Sequence, residues 1–296
     1  MNHTRKKSPI SWVPTAYFAM GLPFVVLNMV TVLMFKGLEV DDKLITFWTS
    51  LILLPWTLKP LWSPFLELFR TKKFFVVVTQ LVTGVTFGLV AFSLGLSHFF
   101  SVSIALLAVI AFSGATHDIA CDGVYMSELS NEDQAKFIGW QGAFYNIAKI
   151  IATGGLVYLA GYLIEANAEA GSLEASKKAW MIILLILSVT MILLGIYHYF
   201  ALPSTQNVKV KKIERNNKEV LKELGQVLMD FFRKTHIVYY ICFIILYRFA
   251  EGFVMKIVPL FLKADRTMGG LGLNEKEIGP VSYTHLRAHE TVLDLV

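Results

Sequence analysis

Seven nearly continuous apolar stretches punctuate the chain, at residues 10–36, 44–66, 74–96, 100–126, 137–164, 179–202 and 237–262. A helix needs about 20 residues to cross a hydrocarbon core of roughly 30 Å, so each stretch predicts one transmembrane helix. Short polar breaks join the first six. The sixth and seventh are separated by VKVKKIERNNKEVLKELGQVLMDFFRKTH, a polar stretch long enough to mark a boundary between two bundles. No ten-residue alternating strands with turn signals occur, which argues against a membrane barrel. The first apolar run is too long for a cleaved signal peptide and lacks a small-residue cleavage site after it.

The predicted fold class is therefore an all-α polytopic membrane protein. Residues 1–202 form a six-helix N-terminal bundle, 203–236 a basic linker, and 237–280 the first helix and loop of a second bundle. Inside the linker Val220, Leu221, Leu224, Val227, Leu228, Phe231 and Phe232 recur at helical spacing between Lys218, Lys222, Glu223 and Asp230. That pattern predicts an amphipathic helix, lying either on the membrane surface or packed on the transporter body.

Composition agrees with this reading. Of 296 residues 55% are hydrophobic and only 17% charged, far from an ordinary soluble domain. The formal charge of +5 does not point to nucleic acid, because the cations sit in particular loops: Arg5, Lys6 and Lys7, then Arg70, Lys72 and Lys73, then Lys136, and a cluster across 203–236. Cytoplasmic loops carry such an excess, so the N terminus is expected inside, in a cytoplasmic (inner) membrane. Cys121 and Cys242 lie in apolar surroundings without metal-ligand spacing and read as packing residues. No P-loop, zinc or EF-hand spacing appears, so neither ATP-driven pumping nor a metal or other cofactor is expected.

Against this apolar background the segment HDIACDGVYM, residues 117–126, stands out. Asp118 and Asp122, four apart, share one helix face about 6 Å apart in axial rise. An ionised Asp at a helix centre costs roughly 2.5–3.5 kcal/mol on insertion scales, so both acids are expected to face a cavity or another helix, able to interact with each other and with a common partner. Intramembrane acids are by default pathway or relay residues; the competing reading is that both fall in the cytoplasmic third of the span and are hydrated there. His117 flanks the pair and reads as a plain polar residue.

Several segments together resemble the AmpG-like branch of the major facilitator superfamily, the muropeptide permeases and their acetyl-CoA-transporter relatives. They are Gly21, Leu22 and Pro23 in the first span, KPLWSPFLEL (Lys59 to Leu68) in the second, THDIACDGVYMSEL in the fourth, GAFYNIAKIIATGG in the fifth, and YRFAEGFVMK in the seventh. Two departures are visible: Glu67 stands where the family usually has Asp, and Asn146 where it usually has Arg. The resemblance implies a twelve-span secondary transporter with its substrate site between two six-helix bundles. It implies proton-coupled import of a muropeptide or similar amphiphilic metabolite, by a protein that is monomeric when full length.

On that reading Asp118, Asp122, Tyr145, Lys149, Arg248 and Glu251 belong to the transport pathway and proton coupling. Lys149, one turn from Asn146, stands in for the missing cation. Arg248 and Glu251, three apart, pair with each other or across the bundle interface. Lys59, Glu67 and Arg70 form a conformational latch at the turn between the second and third spans. Gly154, Gly155 and Gly161 read as sites of close helix packing. Two alternatives from other classes remain: an intramembrane aspartate-dependent enzyme, and a seven-span receptor or channel. The tail VSYTHLRAHETVLDLV, residues 281–296, resembles a one-frame translation of a sequencing adapter; it is expected to be non-native, with the native gene continuing beyond it.

Overall fold

The computed structural model describes residues 7–69, 71–167, 169, 171–203, 225–226, 229 and 232–281. Six helices among them are long and apolar enough to cross a membrane. They are α1 (Pro9–Gly37), α2 (Asp42–Ser63, continuing helically to Phe69), α3 (Lys72–Ser93), α4 (Phe99–Glu128), α5 (Asn131–Ala166) and α6 (Ser172–Ala201). A seventh, α7 (Ile237–Lys263), occupies the seventh predicted span. No strand occurs among the described residues. The expected amphipathic linker helix and the expected non-native tail fall largely outside the described residues.

Polar residues in short loops start these helices. The Asp41 carboxylate accepts from the backbone N–H groups of Lys43 and Leu44 at the head of α2. Thr71 Oγ1 accepts from Phe74 N at the head of α3, and Ser130 Oγ from Asp133 N at the head of α5. Each satisfies a backbone donor that the helix cannot bond internally. After α7, Asn274 and Glu277 bond reciprocally through side chain and backbone, and residues 275–281 are helical.

Three helices are irregular in ways the apolar pattern hides. α2 is interrupted between Leu51 and Leu54, just ahead of Pro55. α1 and α5 each contain a π-helical segment, Val26–Val30 and Ile151–Leu156, and the two segments pack against one another. π turns interrupt the regular ladder and recur at functional sites.

Helix α3 packs against α4 on one side and α6 on another, α1 packs along α5, and α4 also meets α1 and α2. Small residues permit the approaches. A Cβ on Gly84 would meet Ser188 O and Ile192 N at 3.0 Å, and one on Gly21 would meet Tyr145 O at 2.9 Å. Gly161 likewise meets the Lys276 backbone, but Gly155 has open space around it and so is no packing contact. Trp12, Trp180, Phe35 and Phe87 fill the interior. Val85, Leu89 and Phe92 on α3, and Leu193, Ile196 and Phe200 on α6, point outward. In water this apolar exterior would aggregate; in a bilayer it meets its solvent.

Candidate functional site

Helix α4 brings its acids to the half of the bundle that carries the N terminus, and gives them different environments. Asp118 is buried, with 8% of its surface exposed. Its Oδ2 accepts from Lys59 Nζ at 2.6 Å and from Trp56 Nε1 at 2.9 Å, both on the second piece of α2. Its Oδ1 is buried and has no hydrogen-bond partner among the described residues. Asp122, one turn on, is exposed, and its Oδ1 accepts from the hydroxyl of buried Tyr17 on α1 at 2.8 Å. The hydrogen-bond partners of the two acids are separate: Asp118 binds α4 to α2, and Asp122 binds α4 to α1.

Lys59, expected as part of the latch at the turn between the second and third spans, is the cation opposite Asp118. Its side chain keeps 28% exposure, so the pair is buried on the acid's side and reaches toward the surface on the lysine's. The reason is periodicity: Lys59 lies three residues after Trp56, so both side chains project from one face of α2. Gly114, one turn before Asp118, makes room for them, because a Cβ there would press on the Trp56 indole at 2.9 Å.

Tyr145 and Lys149 stand together on α5, with the Lys149 ammonium 5.2 Å from the centre of the Tyr145 ring, a cation–π contact. The cation that meets Asp118 is therefore Lys59 and not Lys149. The side chains of Glu67, Arg248 and Glu251, and all of Arg70, lie outside the described residues.

A buried polar network, not anticipated from the sequence, adjoins this pair. His117 Nε2 lies 2.9 Å from Gln80 Nε2, Gln80 Oε1 lies 2.8 Å from His198 Nδ1, and His198 Nε2 lies 2.9 Å from Thr15 Oγ1. Four helices, α4, α3, α6 and α1, are joined in this way. With Gln80 oriented so, its amide donates to His117 Nε2, which places the His117 proton on Nδ1, a buried atom without a partner among the described residues. His117 was read from the sequence as a plain polar residue; the signal that could have found it is the recurrence of His117, Gln80 and His198, side chains that both donate and accept, inside three apolar spans. No cluster of His, Cys, Asp or Glu among the described residues could hold a metal ion.

A buried carboxylate paired with a half-buried ammonium and held by an aromatic donor, within a bundle of membrane-capable helices, suits the movement of polar cargo. Comparison with known families decides the class: the model of the Major Facilitator Superfamily matches residues 15–279. The chain belongs to the Major Facilitator Superfamily. No curated protein and no solved structure matches it. As a Major Facilitator protein it is a multi-pass membrane transporter of small molecules and not an enzyme.

Proposed function

We propose that this transporter imports a muropeptide or a similar amphiphilic metabolite together with protons, across a cytoplasmic membrane, with its N terminus inside. The observation that carries the proton coupling is the Lys59–Asp118 pair. A carboxylate buried in a bundle must be balanced, by a cation or by a proton, because breaking a buried pair costs about 3–5 kcal/mol. Lys59 and Asp118 sit on different helices, so a shift of α2 against α4 separates them. Asp118 then takes a proton in the conformation where Lys59 has withdrawn, and gives it up when Lys59 returns. Trp56, donating to the same oxygen, holds the carboxylate in place through the exchange.

Asp122, exposed and held by Tyr17, serves the pathway surface and not the buried exchange. Tyr145 and Lys149 offer an aromatic face and a cation on α5, which suits a sugar ring linked to a carboxylate-bearing peptide. The substrate class and the inward orientation rest on the resemblance of the GLP, KPLWSPFLEL and THDIACDGVYM segments to AmpG-like permeases, and on the distribution of Lys and Arg. A functional unit of one copy is part of the same proposal.

The test is uptake of a radiolabelled anhydro-muropeptide into proteoliposomes holding the protein, with an imposed pH difference. Accumulation above the outside concentration, abolished by a protonophore, is the expected result. Accumulation indifferent to the protonophore would remove the proton coupling, and absence of uptake alongside uptake of acetyl-CoA would move the protein to the acetyl-CoA-transporter relatives.

A further inference from the structure

We propose that Lys256 is the removable plug of a gate at the end of the molecule away from the N terminus, seated in the π-helical segment of α1. The proposal rests on the transporter reading above and adds to it the residue that holds one side shut.

Lys256 lies in the second half of α7 and is 7% exposed. Its ammonium donates to the carbonyl of Asn28, inside the π segment of α1, at 3.0 Å, and reaches the carbonyl of Thr49 on α2 at 3.4 Å. Among the described residues no carboxylate pairs with it. Backbone carbonyls solvate an ammonium without cancelling its charge, so this contact holds the helices together yet leaves no buried anion behind when it parts. Two carboxylates at such a place would have made separation far more costly.

The contacts around Lys256 all close the same end. Lys263 Nζ pairs with Glu275 beside Gly37, the last residue of α1. Lys276 pairs with Glu165, near the end of α5, at 2.8 Å. Gly161 and Gly279 let the segment after α7 lie directly against α5, Gly279 against the carbonyl of Gly154 in the second π segment. Leu260, Leu262 and Ile278 are buried there.

The other half of α7 behaves oppositely. Ile245 and Cys242 precede Lys256 by 11 and 14 residues, which at 100° per residue puts them within about 40° of its face. Both are exposed, as is Val238. One face of α7 is thus sealed against α1 at the far end and open toward the N-terminal end, where exposed Asp122 lies. For the far end to open, Lys256 must leave Asn28 and Thr49.

Two cysteine reporters on the protein in membrane vesicles test this. Native Cys242 is exposed and native Cys121 is 1% exposed, while Thr49, buried at the gate with 1% exposure, is replaced as Thr49→Cys. Labelling rates with a membrane-impermeant maleimide are measured from each face. With Lys256→Gln the Thr49→Cys rate should rise roughly tenfold, the factor for losing about one charged hydrogen bond, and the Cys242 rate should fall in step, while Lys256→Arg leaves both near wild type. If Lys256→Gln does not insert, Lys263→Gln, which removes the neighbouring pair, should move both rates in the same reciprocal direction. Unchanged rates, or rates that rise together as in a merely loosened fold, would overturn the gate. Because uptake is not the readout, an error in the proposed substrate leaves this result unaffected.

Discussion

At the scale of single residues, the proposed coupling requires Asp118 to exchange its Lys59 partner for a proton. Lys59→Met leaves Asp118 buried without its cation, and the expected cost is about 3 kcal/mol, the lower end for a broken buried pair, because Lys59 is 28% exposed. Thermal unfolding in detergent should show this as a lowered midpoint. Adding Asp118→Leu to the same protein removes the stranded charge and should restore most of that midpoint without restoring uphill transport; a double variant as unstable as Lys59→Met alone would argue against the pair. Gln80→Leu strands both His117 and His198, at about 1–3 kcal/mol for each buried polar atom left unpaired. That variant should unfold earlier than Thr86→Val, since Thr86 bonds only its own helix, to Val82 O.

Helix by helix, the close approaches decide which substitutions are tolerated. Gly21→Ala pushes a Cβ into the Tyr145 carbonyl and should part α1 from α5, lowering both folded yield and melting temperature. Gly142→Ala, on α5 with open space around it, should be neutral or stabilising by up to about 1 kcal/mol from helix propensity. Equal behaviour of the two would show that the α1–α5 contact is not tight. The helices themselves were legible in the sequence, because runs of 20 or more apolar residues have one economical structure in a membrane. The break before Pro55 and the two π segments were not, since neither leaves a mark on hydropathy; the π segments meet where α1 packs on α5. The motif segments named both Lys59 and Asp118 but put them in different roles: residues 59 apart meet only through the packing of α2 on α4. The network of His117, Gln80 and His198 was hidden for a similar reason: the three residues lie in three different spans and meet only through the packing of α4, α3 and α6.

For the whole molecule, sidedness and coupling are the open consequences. With the N terminus inside, a cysteine placed at Ser97, in the loop between α3 and α4, should react with impermeant maleimide added outside intact cells, and one placed at Ser130, between α4 and α5, should not; the reverse would invert the orientation. The Lys59–Asp118 exchange, the Tyr17–Asp122 contact and the polar network then lie toward the inner half, and the Lys256 contact toward the outer. A transporter so arranged loses concentrative power, and not substrate passage, when its proton site is neutralised. The most direct test is proton entry into proteoliposomes loaded with a pH-sensitive dye when anhydro-muropeptide is added outside, comparing wild type with Asp118→Asn. Substrate-driven acidification by the wild type, absent in Asp118→Asn although labelled substrate still exchanges across the membrane, is the predicted result; acidification by Asp118→Asn at the wild-type rate would contradict the account.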